Sequence, residues 1–255
     1  MTNPTLPTLH IANKNYSSWS LRPWLLMTVL GIPFTERLVP FGQEPGQPPF
    51  TAFSPTGKVP CLHDQGLTVW DSLAITEHLA ESHPEVWPRD VGARAWARSA
   101  SAEMHSGFFA LRETCTMNCG LRIRLPQWPP ATLADWRRAE AIWSEGLQRF
   151  GGPFLAGDRF TAVDAFFAPL AFRAQTYSPA LGEVAQGYVA RLLALPAMQR
   201  WYAEALAESW RDEPHEEDAR SKGEWLADLR APAHPTLTPW TPAPPSTAVA
   251  RRLAS

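Results

Sequence analysis

The sequence has few cysteines and no long apolar run. Its 255 residues include three cysteines, Cys61, Cys115 and Cys119, and no Cys-x-x-Cys pair. An odd and sparse set of this kind argues against a zinc site and a dithiol redox site, and it is typical of a reducing compartment. No apolar stretch approaches the length of about 20 residues that a membrane-spanning helix needs. We therefore expect no metal and no membrane insertion.

Neither positive nor negative charge is in large excess. The 23 basic and 25 acidic residues give a formal net charge of −2, so attraction to nucleic acid or to an anionic membrane surface is not expected. Residues 1–8 are polar and lack the apolar core of a signal peptide, which favours the cytoplasm. What the chain does have is 45% apolar residues, 12 tryptophans and 26 prolines. This composition indicates a soluble globular protein with many fixed turns.

A strand–helix–strand unit is predicted at the start of the chain. Residues 9–12 and 34–41 have the length and composition of strands, and residues 21–30 are apolar on nearly every face, as in a buried helix that Gly31 ends. Residues 15–24 are rich in serine and lie where the first strand gives way to the helix. A helix start offers unpaired N–H groups and partial positive charge, which favour a bound anion. The alternative is a capping serine with two loop neighbours.

A hairpin is predicted next, at residues 58–64 and 67–70. Pro60 stands at the start of its first strand, where proline cannot donate a ladder bond. A cis bond after Val59 would leave the Val59 backbone free to pair with an extended peptide ligand. An ordinary trans proline at a strand start is the commoner arrangement.

Helical patterns dominate the remainder of the chain up to residue 212. Asp71 or Ser72 is placed to cap an amphipathic helix, and residues 83–88 have the composition of a linker. Between residues 88 and 212, helices are predicted at residues 91–118, 131–150, 161–175, 184–195 and 196–207.

Beyond residue 212 the chain becomes acidic and contains several prolines. It has a helical spacing of apolar residues at 221–230 and a Pro-x-x-Pro pattern at 239–242.

Four motifs in this order resemble the cytosolic glutathione transferases, and specifically a serine-type, zeta-like branch. Residues 17–22 read Ser-Ser-Trp-Ser-Leu-Arg and match the family's Ser-x-x-x-x-Arg segment before the first helix. Residues 54–60 read Ser-Pro-Thr-Gly-Lys-Val-Pro, where the family has Asn-Pro-x-Gly-Lys-Val-Pro. Residues 71–72, Asp-Ser, match the start of the family's third helix. Residues 161–164, Thr-Ala-Val-Asp, match a capping box of its second domain.

The resemblance implies a two-domain fold. An α/β thioredoxin-like domain of βαβ-ββα order is expected at residues 1–84, and it would bind glutathione. An all-α helical domain is expected at 85–212, followed by a proline-rich extension at 213–255. The resemblance also implies a homodimer.

The same resemblance assigns the thiolate donor to Ser17, with Ser18 as the alternative and Ser20 left as a helix cap. A free thiol has a pKa of about 8.5, so moving it below neutrality requires a shift of roughly two units, or about 2.7 kcal/mol. A hydroxyl hydrogen bond to an anion supplies about 1.5–3 kcal/mol, and a helix N-terminus adds about 0.3–1 kcal/mol. One serine is therefore enough, and no metal or general base is required to form the thiolate.

Five further positions are implied to bind glutathione. Val59, with Pro60, would pair its backbone with the cysteinyl part of the tripeptide. Ser72 and the helix start would take the γ-glutamyl carboxylate, and Asp71 its ammonium group. Lys58 would reach the glycyl carboxylate, unless it is simply a solvated loop lysine.

The second substrate is expected to be a small apolar electrophile. By the resemblance Trp19, Met104 and Phe108 would line its pocket, although Met and Phe at helical spacing are more often core. The expected activity is transfer of glutathione to this electrophile. Alternatives are a glutathione-dependent isomerase of the maleylacetoacetate type, a dehalogenase or an etherase, and a non-catalytic binding protein. Trp19 stands where zeta enzymes have a cysteine, which weakens the isomerase alternative.

Overall fold

One four-stranded sheet organises the first part of the chain. The computed structural model describes residues 6–42 and 48–232. The strand order is β2-β1-β3-β4, with β1 parallel to β2 and antiparallel to β3, and β3 antiparallel to β4. The strands are β1 (Thr8–Ile11), β2 (Thr35–Leu38), β3 (Cys61–Asp64) and β4 (Leu67–Trp70).

Two helices complete this α/β half, and the predicted βαβ-ββα order is confirmed. Helix α1 (Ser18–Leu30) connects the parallel strands β1 and β2, and helix α2 (Ser72–Ser82) follows the hairpin. Gly31 ends α1 with a φ of 70°, in the left-handed region that glycine adopts without a steric penalty. The consecutive buried residues of α1 explain why its sequence is apolar on nearly every side.

Six helices form most of the second half. Helix α6 lies at its centre, and nearly all of its residues are buried between α1, α3 and α7. One apolar cluster runs from the sheet through α1 into this helical half. The helices are α3 (Val91–Ser106), α4 (Phe109–Thr114), α5 (Pro130–Phe150), α6 (Ala162–Tyr177), α7 (Glu183–Leu193) and α8 (Pro196–Ala207).

The single long helix predicted at residues 91–118 is wrong, because the chain breaks between α3 and α4. Gly107 is extended, and Phe108 has a φ of 60°, in the left-handed region. A Cβ atom on Gly107 would lie 2.9 Å from the carbonyl oxygen of Glu103. Glycine is therefore needed at the break, and the apolar spacing alone does not reveal it.

The helix predicted at residues 221–230 is also wrong. Helix α9 (Glu213–Lys222) ends at Gly223, and strand β6 (Glu224–Asp228) follows it. β6 pairs antiparallel with β5 (Leu121–Arg124) in a two-stranded sheet that the sequence pattern did not predict. Burial alternates along β6 with the period of two that is typical of a strand. The extension therefore packs back onto the body at least as far as residue 232.

Parts of the predictions stay open. Residues 239–242, with their Pro-x-x-Pro pattern, lie outside the described residues. The domain bounds at residues 84 and 212 stay predictions. Within residues 6–42 and 48–232, no helix combines the length and the apolar character that crossing a bilayer requires.

The capping box at the start of α6 is confirmed. Asp164 is fully buried, and its carboxylate accepts hydrogen bonds from the N–H groups of Leu155 and Thr161 and from the hydroxyl of Tyr188. These three bonds join the preceding loop and helix α7 to the start of the central helix. Asp164 therefore organises the core of the helical half.

Replacing Asp164 by alanine should destabilise the protein by about 3–5 kcal/mol, because three buried donors lose their acceptor. Asp90→Ala is the matched control, since Asp90 also caps a helix but is exposed and accepts from a single N–H group, that of Ala93. It should cost about 1 kcal/mol. Urea unfolding measures both, and similar losses for the two variants would contradict the role of Asp164.

Candidate functional site

The loop between β1 and α1 is held in place by the helical half of the molecule. The carboxylate of Glu208, just after α8, accepts the backbone N–H groups of Lys14 at 2.6 Å and Asn15 at 3.2 Å. The indole of Trp201 donates to the Lys14 carbonyl at 2.9 Å, and the N–H of Cys119 donates to the Asn15 carbonyl at 3.2 Å. The position of the serines that follow therefore depends on the second half of the chain.

The side chain of Lys14 extends this connection. Its ammonium group is buried, lies 2.6 Å from the carboxylate of Glu36 on β2, and also pairs with Glu204 on α8. The same group lies 5.0 Å from the ring centre of Trp24 and 5.4 Å from that of Trp201. A buried cation needs such partners, since removing one leaves an uncompensated charge.

Ser17 is the N-cap of α1, so the prediction that Ser20 caps this helix is wrong. The Ser17 hydroxyl oxygen accepts the Ser20 N–H at 3.4 Å and donates its own proton to the Ser20 hydroxyl at 2.7 Å. The Ser20 oxygen also accepts the Ala12 N–H at 3.3 Å. Ser17 is 4% exposed and reaches the cleft. It therefore lies at the positive end of a helix, as the sequence predicts.

Ser18 is the first residue of α1 and is more exposed than Ser17. Its hydroxyl oxygen accepts from the guanidinium of Arg173 on α6 at 3.4 Å, which leaves its own proton free to be donated. Both serines line the same cleft. The choice between them as thiolate donor stays open in this geometry.

Tyr16 precedes these serines but is engaged elsewhere. Its hydroxyl donates to the carboxylate of Glu216 on α9 at 2.6 Å. Burial, followed by this hydrogen bond and the charge of Glu216, raises the pKa of Tyr16 well above its usual value. The phenol is therefore not available as a donor to an anion in the cleft.

Trp19 contacts two guanidinium groups and lines both parts of the site. The guanidinium carbon of Arg22 is 4.2 Å from the centre of the Trp19 ring, and that of Arg112 is 4.7 Å away. The His105 ring meets the indole edge-on at 5.3 Å. The orientation of the indole is thus fixed by two cations, and part of its apolar surface remains in contact with the cavities.

The residues expected to bind the tripeptide lie around an extended segment before β3. The peptide bond between Val59 and Pro60 is cis. Within the described residues, neither the N–H nor the C=O group of Val59 has a hydrogen-bond partner. Lys58 is exposed beside it. The Val59 backbone is therefore free to pair with a peptide.

Asp71 and Ser72 lie at the start of α2. One carboxylate oxygen of Asp71 accepts the N–H of Leu73 at 2.8 Å, and the other lies 3.3 Å from the His105 ring. Ser72 is buried, and its hydroxyl accepts from Arg22 at 3.4 Å. Asp71 is thus the helix cap, with part of its carboxylate still open to solvent.

Two connected cavities join these groups. One has a volume of about 430 Å³ and is lined by Pro60, Asp71 and Ser72. The other has a volume of about 450 Å³ and is lined by Ser17 and Ser18. The two share Trp19, Lys58 and Val59. The structure therefore brings eight of the ten predicted site residues to one continuous cleft.

Met104 and Phe108 are the two exceptions. Both are buried in the apolar core, at 1% and 6% exposure, and neither lines the two cavities. Met104 belongs to the buried face of α3 and Phe108 to the break after it, so both are core residues, as the competing interpretation had it. The cleft wall is formed by the following segment, through Arg112, Thr116 and Met117.

Three arginines bring positive charge to the cleft, Arg112 and Arg173 by lining it and Arg22 by contacting Trp19 and Ser72. Within residues 6–42 and 48–232, Arg22, Arg112 and Arg173 make no ion pair with a carboxylate, and the Nε atom of each is buried without a hydrogen-bond partner. Burial, followed by the charges of the neighbouring arginines, lowers the pKa of Arg112 to about 10 and that of Arg22 well below its usual value. A bound anion would relieve this repulsion.

Helix α9 also lines the cleft. His215 and Asp218 line the larger cavity. The His215 ring stacks on Tyr16 with ring centres 4.9 Å apart and contacts Phe41 at 4.8 Å. Its Nδ1 atom is hydrogen-bonded to the carboxylate of Asp212. The extension thus contributes side chains to the cleft itself.

Sequence reasoning missed the arginines, His215 and Glu208. Arg173 had a visible signal, because an arginine in a helix that is apolar all round needs an explanation. No local pattern marks His215 or Glu208, since both act on residues about 200 positions away. No cluster of metal-ligating side chains is found in the described ranges.

Two family models match the chain. Residues 16–82 match the N-terminal domain of glutathione S-transferases, and residues 126–204 match their C-terminal domain. Both matches fall on the segments that form the cleft and the helical half.

Curated relatives and solved structures agree with this match. Maleylacetoacetate isomerase of Rattus norvegicus is 27% identical over 67% of this chain and 79% of its own length. A zeta-class glutathione S-transferase of Euphorbia esula is 27% identical over 65% of this chain and 76% of its own length. A glutathione transferase homologue from Burkholderia gl BGR1, solved with bound glutathione, covers 79% of this chain and 98% of its own at 22% identity and a TM-score of 0.59. Glutathione S-transferase unclassified 2 of Bombyx mori matches 86% of this chain and 100% of its own length, at 17% identity and a TM-score of 0.65.

The Glu208 carboxylate should make stability depend on pH. Burial raises the pKa of Glu208 in the folded protein, although hydrogen bonds from Lys14 and Asn15 oppose the shift. The unfolded chain then loses its proton at lower pH than the folded protein. The unfolding free energy of wild type relative to Glu208→Gln should therefore fall as pH rises from about 4 through the raised pKa.

Glu204→Gln is the matched control, because the pKa of Glu204 shifts in the opposite direction to that of Glu208. Burial alone would raise the pKa of Glu204, but hydrogen bonds from Lys14 and Arg200 outweigh it and lower the pKa. Wild type relative to this variant should therefore lose stability as pH falls. Urea titrations across this range measure both slopes, and equal signs would contradict the assignment.

Proposed function

The chain belongs to the glutathione S-transferase family, and we propose that it activates glutathione with a serine at the start of α1 and transfers it to an electrophile carrying an anionic group. Its zeta-class and maleylacetoacetate isomerase relatives identify it as a glutathione-dependent enzyme. The observation that carries the proposal is one cleft that holds a helix N-terminus with two serines, a free peptide backbone and, within the described residues, arginines that pair with no carboxylate.

Glutathione would lie along the smaller cavity. The unpaired N–H and C=O groups of Val59 would bind its cysteinyl backbone, as an added strand does. The γ-glutamyl end would reach the start of α2, where Ser72 and the helix N–H groups bind the carboxylate and Asp71 binds the ammonium. Lys58, with Pro60 fixing the segment, lies where it would meet the glycyl carboxylate. The thiol would then point past Trp19 into the larger cavity.

Ser17 is the proposed thiolate donor. Its hydroxyl now donates to Ser20, and a thiolate would take that proton instead because a hydrogen bond to an anion is about twice as strong. The Ser20 hydroxyl would then reverse and donate to Ser17, which would keep both groups satisfied. Ser18 is the alternative, since its proton is already free. In either case the serine is a donor and not a nucleophile.

The second substrate should carry negative charge. The sequence predicts a small apolar electrophile, and Trp19 still offers an apolar face to it. Arg112 and Arg173, however, line the larger cavity without paired carboxylates. This observation favours an unsaturated or halogenated carboxylate, and with it the isomerase alternative of the maleylacetoacetate type. Trp19 in place of a cysteine remains the argument against that particular reaction.

The expected homodimer and cytoplasmic location remain parts of this proposal. Trp70 on β4 is 44% exposed and lines a surface cavity with Val69 and Leu73, which a second copy would cover.

Ser17→Ala should raise the pKa of the bound glutathione thiol by about one to two units, because it removes a hydrogen bond worth about 1.5–3 kcal/mol. Thiolate absorbance against pH, recorded with saturating glutathione, measures the shift. Ser18→Ala and Ser20→Ala are the matched controls and should shift the pKa less. If only Ser18→Ala removes the thiolate, the donor is Ser18. If wild type is not retained on immobilised glutathione and forms no thiolate, the proposed function is wrong.

Arg112→Gln should lower kcat/KM for a carboxylated electrophile about ten- to a hundredfold, since a charged hydrogen bond contributes about 1.5–3 kcal/mol. Ethacrynate and its methyl ester share the reacting double bond and differ in the carboxylate. The ester should lose much less activity than the acid. Arg138→Gln is the control, because Arg138 pairs with Glu103 on the surface. Equal losses for acid and ester would exclude a carboxylate contact.

A further inference from the structure

We propose that His215, oriented by Asp212, is the proton donor of this cleft when glutathione adds to a carbon–carbon double bond. The inference rests on the proposed function and extends it to the α9 wall. Neither residue falls within the segments that the two family models match. The pair therefore lies outside both matched segments.

The geometry of the pair fixes which ring nitrogen is available. Asp212 is 7% exposed at its side chain, and its carboxylate binds Nδ1 of His215. A carboxylate on Nδ1 favours the tautomer with its proton there, which leaves Nε2 as the free nitrogen. Within the described residues, Nε2 has no hydrogen-bond partner. The His215 side chain is 39% exposed, and it lines the same cavity as Ser17 and Ser18.

The ring also contacts two aromatic side chains. Tyr16 stacks on it at an interplanar angle of 23°, and the Phe41 ring contacts it at 35°. Tyr16 is itself fixed by its bond to Glu216, which Arg230 binds with both Nη atoms. An imidazole with one nitrogen bonded to a buried carboxylate and its ring packed on aromatic neighbours is pre-oriented for proton transfer.

Charged groups from several elements lie around the ring. Asp212 binds it, and Asp218 of α9 lines the same cavity. Glu216, also on α9, is paired with Arg230. Lys58, Arg112 and Arg173 line the cavity from other elements. An anionic substrate in this cavity would therefore lie near both the cations and the imidazole.

The proposed steps balance. Glutathione loses its thiol proton to solvent as the serine stabilises the thiolate, and Nε2 takes a proton from solvent. The thiolate then forms a bond to the β-carbon of an unsaturated carbonyl compound, and the π electrons move to the carbonyl as an enolate. Nε2–H gives its proton to the α-carbon, and the neutral imidazole is restored. The net reaction adds glutathione across the double bond without another reactant.

Two charge-matched probes separate proton donation from a role in shaping the wall. Addition to ethacrynate places a proton on carbon, whereas 4-chloro-3,5-dinitrobenzoate loses chloride and needs no proton donor. In His215→Phe, which retains an aromatic ring between Tyr16 and Phe41, the ratio of addition to chloride displacement should fall about a hundredfold. In Asp212→Asn, which leaves the ring in place, the ratio should fall by a smaller factor.

His78→Phe is the matched control, because His78 forms a second His–Asp pair, with Asp64 at 2.9 Å, outside the cleft. It should leave the ratio unchanged. Equal loss of both reactions in His215→Phe would mean that His215 only shapes the wall, and this would overturn the proposal. No change in the ratio would also overturn it, as would wild-type enzyme that binds glutathione but does not add it to ethacrynate. Wild type that binds no glutathione would instead refute the proposed function.

Discussion

The bond between the Glu208 carboxylate and the backbone of Lys14 and Asn15 is the constraint on which the site depends. A loop between a strand and a helix would ordinarily be positioned by its own domain. Here the N–H groups of the loop, and both of the carbonyl groups at these positions, are bonded to residues of the helical half. The start of α1 is therefore held in place by contacts with the helical half, and these contacts determine where the following serines lie.

The first 84 residues were readable from the sequence because their signals are local. Gly31 ends a helix, Asp71 caps one, and a two-residue turn joins β3 to β4. Each signal works through backbone geometry within a few residues, so one sequence is enough to interpret it. The order of the motifs then gave the fold and eight of the cleft residues. The cis bond at Pro60 was one of two alternatives that the sequence left open.

The rest could not be read because it depends on contacts between distant segments. The break at Phe108 is a change of backbone conformation, and the spacing of apolar residues does not reveal it. Trp225 has the spacing of a helix but lies in β6, because β5 offers a free edge about 100 residues earlier. Met104 is a further case, because the sequence of an apolar helix face is the same whether that face contacts the core or a substrate. Tertiary pairing overrides local preference in each case.

The charges of the cleft add a final argument about chemistry. A serine and a helix start are enough to stabilise a thiolate, so three further arginines would be superfluous if the second substrate were neutral. These guanidinium groups donate to hydroxyl or carbonyl oxygens but pair with no carboxylate in the described part of the chain, and an anionic ligand would offset the free-energy cost of their uncompensated charge. His215 and Asp218 of α9 line the same cavity as Arg112 and Arg173. A substrate in this cavity would meet cations that stabilise negative charge and, at His215, a proton, which is what addition to an unsaturated carboxylate requires.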